Sequence, residues 1–188
     1  MKRLNFLNQE QQLALAPTLS LIDEFYGDST RRFSSRLSSE HLFDVAKHLA
    51  RFEPDIDLIN SALLHDIVED HPQSNARVYY CYNDRVNRIV ALLTKPKRNA
   101  NQTREERNTL YWTKLSKDSD ALLIKLCDTL SNCPVGEETD DFCTRFIAEK
   151  SRFLEVVREA AFKKANTQTA FIELEAGINA LRESPLCS

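Results

Sequence analysis

The stretch from Leu58 to Asp70, LINSALLHDIVED, constrains the fold of this chain more than any other. Its apolar residues recur three and four positions apart, which predicts one largely buried helix. The end of that helix nevertheless carries four polar residues: His65, Asp66, Glu69 and Asp70. A buried carboxylate costs several kcal/mol unless it is paired or binds a metal. Because imidazole and carboxylate groups suit divalent ions, the stretch predicts a metal site.

A polar, solvated helix end is the alternative interpretation of these four residues. A His-Asp dipeptide occurs often by chance, and alone it would favour that alternative. The combination of all four residues at the end of an apolar helix favours the metal site instead, because Glu69 and Asp70 lie one turn beyond His65 and Asp66 and share the same end.

A second carboxylate stands where burial is expected. Asp128 lies within the apolar segment 121–133, ALLIKLCDTLSNC, which also predicts a buried helix. A second helix that offers an aspartate is what a site built from His and Asp needs. Asn132 follows one turn later and could donate a hydrogen bond to a substrate or to the site.

An earlier predicted helix, capped by Ser38 or Ser39, offers two further histidines. His41 and His48 are seven residues apart and therefore lie on the same face. Either imidazole could reach a metal, and a lone histidine in such a helix is more often structural. The spacing alone does not choose between them.

Composition limits the class of protein. A chain of 188 residues can form one domain with a substantial core, and three Gly and six Pro without a convincing strand pattern predict an all-α fold. A net charge of -3 gives no reason to expect nucleic acid as a partner. Five Cys without a CxxC pair indicate reduced thiols. With no apolar run of membrane-spanning length and no signal-peptide pattern, we expect a cytoplasmic protein without membrane contact.

Two basic segments flank the candidate site in sequence. One is the polar loop 28–39 with Arg31 and Arg32, and the other is the run 95–102, which begins with Lys95. Basic residues in a loop usually face water, but Arg31 and Arg32 precede the candidate metal site, so an anion-binding role stays open for them. For the run 95–102, a solvated loop and a group of cations that holds a phosphate ligand have about equal weight.

Taken together and in this order, the motifs resemble those of the HD metal-dependent phosphohydrolases. The string ALLHDIVED at 62–70 resembles the ALLHD-x-VED string of the RelA/SpoT-type alarmone hydrolases. LTK at 93–95 resembles their TK motif, and IKLCDTLSN at 124–132 resembles their KLADRLHN motif. The resemblance covers about residues 19–133, and the short chain without a synthetase domain is similar to the small alarmone hydrolases.

The resemblance implies a fold and a set of ligands. The fold would be a single-domain HD-type helical bundle over residues 1–188, with its motifs in about 19–133 and two covering helices in 139–182. One Mn²⁺ ion would be held by four residues: His41, His65, Asp66 and Asp128. Only the resemblance, and not the spacing, favours His41 over His48 here.

The resemblance also implies roles for the remaining residues. Glu69 and Asp70 would position and deprotonate the attacking water, and Asn132 would touch the nucleotide. Arg31 or Arg32 would lie near the base or the phosphates, and Lys95 belongs to the TK motif.

The implied activity is that of a stringent-response enzyme, the removal of the 3′-pyrophosphate from ppGpp or pppGpp. Departures from the family pattern, such as Tyr26-Gly27-Asp28-Ser29 in place of HxGQ, leave adenosine analogues such as ppApp open as substrates. Two alternatives remain. One is another HD enzyme, a 5′-nucleotidase or a dNTP triphosphohydrolase, and the other is a non-catalytic HD protein that binds a nucleotide. The oligomeric state is left open.

Overall fold

Helices separated by short turns make up the secondary structure of this protein. The computed structural model describes residues 4–30, 36–52, 55–97, 99–133 and 140–184. Within these ranges no strand occurs, and the predicted all-α class is confirmed. The chain divides into two compact units, Met1–Lys95 and Pro96–Ser188. A single domain over residues 1–188 stays a prediction.

The described residues of the first unit form seven α-helices and a short 3₁₀ helix at Pro72–Ser74. The α-helices are α1 (Gln9–Ala14), α2 (Ala16–Tyr26), α3 (Ser38–Ala50), α4 (Ile56–Leu63), α5 (Ile67–Asp70), α6 (Asn75–Cys81) and α7 (Asp84–Leu93). Helix α2 ends at Gly27, whose φ of 46° and ψ of -127° suit a residue without a Cβ atom.

Helix α4 forms the centre of the first unit and packs against α3 and α7. Its apolar residues Leu58, Ile59 and Leu63 are completely buried, as their spacing predicts. Asp55 begins the helix, because its Oδ1 accepts hydrogen bonds from the N–H groups of Asp57 at 2.9 Å and Leu58 at 3.3 Å.

The predicted helix over Leu58–Asp70 is interrupted, which corrects the sequence-based expectation. Helix α4 ends at Leu63, and a turn follows before α5 begins at Ile67. In this turn Nδ1 of His65 lies 2.8 Å from the carbonyl oxygen of Ala62. A continuous helix would offer that carbonyl to the N–H of Asp66. The imidazole therefore occupies the carbonyl oxygen that would otherwise accept the next hydrogen bond of the helix.

In the second unit, the part that the structure describes contains four longer helices: α8 (Arg104–Leu115), α9 (Ser119–Ser131), α10 (Asp140–Ala161) and α11 (Ala165–Glu183). Helix α10 packs against the other three, and α9 also packs against α11. The rings of Trp112 and Phe153 lie 5.4 Å apart, and both are buried. None of the described helices combines the length and the apolar character that crossing a bilayer requires.

The sequence predicts the cap correctly at two helix starts and wrongly at two others. Thr103 followed by Glu106 predicts a capping box, which begins α8, and Asn83, one of two adjacent candidates, caps α7 by accepting from the N–H of Val86. The predicted cap of α3 at Ser38 or Ser39 is wrong, because the residue at the cap position is Leu37. For α9 the sequence favours Asp120 as the cap, and this prediction is wrong. Asp118 performs that role, because its side chain accepts from the two free N–H groups of the first turn.

Candidate metal centre

Three of the predicted metal ligands lie together in the first unit: His41, His65 and Asp66. Their donor atoms are all within 4.8 Å of one another. His41 comes from the first turn of α3, and the other two come from the turn that interrupts the helix before α5. Both histidines are buried, and Asp66 is partly exposed, so that one side of the group can be reached by solvent.

His48 is not part of this group. It is half-buried, and its Nδ1 lies 3.5 Å from the guanidinium of Arg51. Of the two histidines that share a face of α3, the structure therefore brings His41 to His65, with ring centroids 5.3 Å apart.

The backbone fixes the orientation and the tautomer of His65. A carbonyl oxygen can only accept, so Nδ1 must carry the proton that it shares with Ala62. In the neutral imidazole Nε2 is then an acceptor, and it lies 3.1 Å from Oδ2 of Asp66. Two acceptor atoms at this distance repel each other, and a proton or a cation between them removes the repulsion.

A divalent ion fits this arrangement. Metal bonds to imidazole and carboxylate are about 2.0–2.2 Å long, so two ligands of one ion lie about 3 to 4 Å apart. The distance between Nε2 of His65 and Oδ2 of Asp66 is already in this range. Two imidazoles and one carboxylate suit borderline ions such as Mn²⁺, Fe²⁺ or Zn²⁺.

The adjacent carboxylates Glu69 and Asp70 are held by different donors. Oε2 of Glu69 accepts from the backbone N–H of Lys95 at 3.1 Å, which connects α5 to the residue two positions beyond α7. Oδ2 of Asp70 accepts from the hydroxyl of Tyr26 at 3.0 Å. One oxygen of each carboxylate is therefore fixed by a hydrogen bond, in Glu69 from a main-chain N–H and in Asp70 from a side-chain hydroxyl.

The surroundings of Asp70 raise the pKa of its carboxyl group above the ordinary value. The residue is exposed as a whole, but its carboxyl group is partly buried where it meets Tyr26. Burial and the negative charge of Asp66 raise the pKa of Asp70, while the hydrogen bond from Tyr26 lowers it. Burial raises the pKa of the Tyr26 phenol, and Asp70 and Asp66 raise it further. Tyr26 is therefore a neutral donor.

The fourth predicted ligand, Asp128, belongs to the second unit. Its buried carboxylate accepts from Nζ of Lys125, and Nδ2 of Asn132 donates to its Oδ1 at 2.8 Å. The charge of Lys125 therefore provides one reason why a carboxylate is tolerated here, apart from any metal. Asn132, predicted to touch the nucleotide, orients Asp128 in the structure.

The predicted substrate-binding cations are described only in part. Arg31 and Arg32 lie outside the described residues. The side chain of Lys95 is half-exposed, while its backbone holds Glu69.

Sequence reasoning did not identify Tyr26 as a neighbour of this site. Its position on the apolar face of α2, directly before Gly27, explains its burial but gives no signal of a partner 44 residues away.

The sequence profile of the HD domain family matches residues 39–133, just over half of the chain. The matched segment begins two residues before His41 and ends one residue after Asn132.

Proposed function

Because the chain belongs to the HD domain family, which points to a metal-dependent phosphohydrolase, we propose that it hydrolyses the 3′-pyrophosphate of (p)ppGpp-type alarmones. The observation that carries the hydrolase chemistry is the group of two imidazoles and one carboxylate at His41, His65 and Asp66. The resemblance of ALLHDIVED and IKLCDTLSN to the alarmone-hydrolase motifs supports the substrate class. Guanosine and adenosine alarmones are both candidates.

The proposed cofactor is one Mn²⁺ ion. His41, His65, Asp66 and Asp128 would hold it, the last in place of its present partner Lys125. When bound, such an ion lowers the pKa of a water ligand and neutralises charge on the phosphoryl group.

Glu69 and Asp70 would orient the attacking water and accept its proton. The water oxygen forms a bond to the phosphorus that carries O3′, and the bond between this phosphorus and O3′ breaks. O3′ takes up a proton and remains on GDP or GTP, while pyrophosphate leaves. Since the two carboxylates are neighbours, they can share protons, and the titration belongs to the pair.

The substrate brings several negative charges to a protein of net charge -3. A local positive surface is therefore needed, and Arg31, Arg32 and Lys95 are the proposed contributors. An arginine can hold a phosphate through two parallel hydrogen bonds, whereas a lysine acts as a point charge. Asn132 would touch the nucleotide.

Purified protein supplied with Mn²⁺ is the material for a direct test. It is offered ppGpp, pppGpp, ppApp, dNTPs and nucleoside monophosphates, and the products are separated by anion-exchange chromatography. We expect pyrophosphate and GDP, GTP or ADP from the alarmones, and no release in the His65→Ala variant. Triphosphate or nucleoside release instead would assign another HD activity, and no turnover of any compound would assign a binding role.

A further inference from the structure

Tyr26 connects the end of α2 to the proposed catalytic pair. It is the last residue of α2 and is buried, with 5% of its surface exposed. Its hydroxyl donates to Oδ2 of Asp70 at 3.0 Å, across 44 residues of sequence. Within this unit the contact joins the first part of the chain to the end of α5.

The phenol ring packs against a neighbouring ring, and its helix ends directly after it. The ring of His71 lies edge-on to it, with centroids 4.8 Å apart and an interplanar angle of 86°. Gly27 ends the helix directly after Tyr26 with a left-handed φ of 46°. A buried aromatic ring with few rotatable bonds loses little entropy when it forms a hydrogen bond, so Tyr26 can keep the Asp70 carboxylate in one orientation.

We propose that Tyr26 is a positioning residue, which fixes Oδ2 of Asp70 and thereby assigns proton transfer from water to Oδ1. This inference rests on the proposed hydrolase function and adds a residue that the motif resemblance does not supply, since Tyr26 stands where the family pattern departs. The donor suits the task because burial and nearby carboxylates keep the phenol protonated. The Glu69 carboxylate, in comparison, accepts from the main-chain N–H of Lys95.

The Tyr26→Phe variant removes the hydroxyl and retains the ring. We expect kcat to fall about ten- to hundredfold, because misplacement of a catalytic group by about 1 Å has effects of this size. KM is expected to change less than about twofold, because binding does not require this hydroxyl.

The acidic limb of the pH profile of kcat/KM is the second measurement. A hydrogen bond to a carboxylate favours its ionised form, so its removal raises the pKa of Asp70. The acidic limb, to which both carboxylates of the pair contribute, should then move to higher pH. Asp66, Glu69, His65 and His71 also act on Asp70 or on Tyr26. These four residues are unchanged in the variant, and the difference between the two profiles therefore isolates the hydroxyl.

Tyr82→Phe is the matched control. Tyr82 belongs to the same unit, is half-buried, and its hydroxyl lies 2.8 Å from Oγ1 of Thr18. Because Thr18 gives its only proton to Asn60, Tyr82 must be the donor, as Tyr26 is. This control should leave kcat and the pH profile unchanged.

The outcomes separate this inference from the proposed function. If the wild-type protein hydrolyses no alarmone, the proposed function fails. If wild type is active and Asp70→Asn is equally active, Asp70 takes no part in the reaction, and the role of Tyr26 is overturned while the hydrolase function stands. If wild type is active and Asp70→Asn is not, equal behaviour of Tyr26→Phe and Tyr82→Phe overturns the role of Tyr26. A loss of activity that follows only the folded fraction, with an unchanged pH profile, also overturns it.

A second variant covers the case in which Tyr26→Phe does not fold. Incorporation of 3-fluorotyrosine at position 26 keeps the hydroxyl and makes it a stronger donor. The acidic limb should then move to lower pH, opposite to the shift expected for phenylalanine. A limb that does not move contradicts the proposal.

Discussion

Replacement of His65 by alanine is expected to remove most of the thermal stabilisation that Mn²⁺ gives this protein. His65 has three features that are expected of a metal ligand: burial, a fixed ring orientation and a ring nitrogen close to a second donor atom. It is 1% exposed, its Nδ1 is fixed by Ala62, and its Nε2 lies 3.1 Å from Oδ2 of Asp66. An ion at this position replaces the repulsion between two acceptors with two bonds, and it binds only the folded chain. It therefore stabilises the folded state.

The size of the effect follows from binding linkage. At an Mn²⁺ concentration 100 times the Kd, binding to the folded state contributes about 2.7 kcal/mol. In a chain of this length 1 kcal/mol corresponds to about 2–4 °C, so the wild-type Tm should rise by about 5–11 °C. Loss of a ligand lowers the affinity at least as much as the 10- to 100-fold seen for supporting groups. At the same Mn²⁺ concentration a 100-fold loss leaves about 0.4 kcal/mol, or about 1 °C.

The assay is differential scanning calorimetry of each protein with EDTA and with Mn²⁺. The difference between the two Tm values is compared, because removal of a buried imidazole changes the metal-free Tm as well. His48→Ala is the matched control, since His48 lies on the same helix but outside the group of three donors. A full wild-type shift in His65→Ala would refute the assignment of the site, and so would loss of the shift in His48→Ala alone.

Three further predictions concern the catalytic pair, the end of α2 and the arginines. Glu69→Gln and Asp70→Asn should each keep the Mn²⁺-induced Tm shift but lower kcat by about 100-fold or more, in steady-state assays of pyrophosphate release; near wild-type rates in both would identify the pair as a solvated helix end. Gly27→Ala should lower the free energy of unfolding by about 1–3 kcal/mol in urea titration, because a side chain is strained at φ 46° and ψ -127°; an unchanged midpoint contradicts this. The double variant Arg31→Ala/Arg32→Ala should raise KM, and more at low salt than at moderate salt; an unchanged KM would mean that other groups hold the substrate.

Helices could be predicted from this sequence because their causes are local. The apolar spacing around Leu58 and the side-chain caps at Asn83 and Thr103 act within one or two turns, and the structure agrees with them. The spacing does not predict the break after Leu63. It depends on a hydrogen bond between a side chain and a carbonyl, and the same residues would also be compatible with a continuous helix.

The site could be predicted less completely than the helices, because the residues that meet there are far apart in the sequence. His41 and His48 have equivalent positions on one helix face, and only the packing of α3 against α4 brings His41 to His65. The contact of Tyr26 with Asp70 crosses 44 residues without a local pattern. Asp128 was interpreted as a carboxylate in need of a metal, yet its partner Lys125 lies only three residues away on the same helix.

Helix α5 contains only four residues, Ile67–Asp70, and therefore cannot be stable without its neighbours. Its amides at Asp70 and His71 bond to the carbonyls of Asp66 and Ile67, both at 2.9 Å, and such a single turn opens locally at much lower free energy than the buried turns of α4. In hydrogen-exchange experiments these two amides should lose protection long before those of Leu63 and Leu64. The proposed catalytic pair would thus lie on a turn that opens more readily than α4, and a bound nucleotide that slows exchange at Asp70 would order the turn as it arrives.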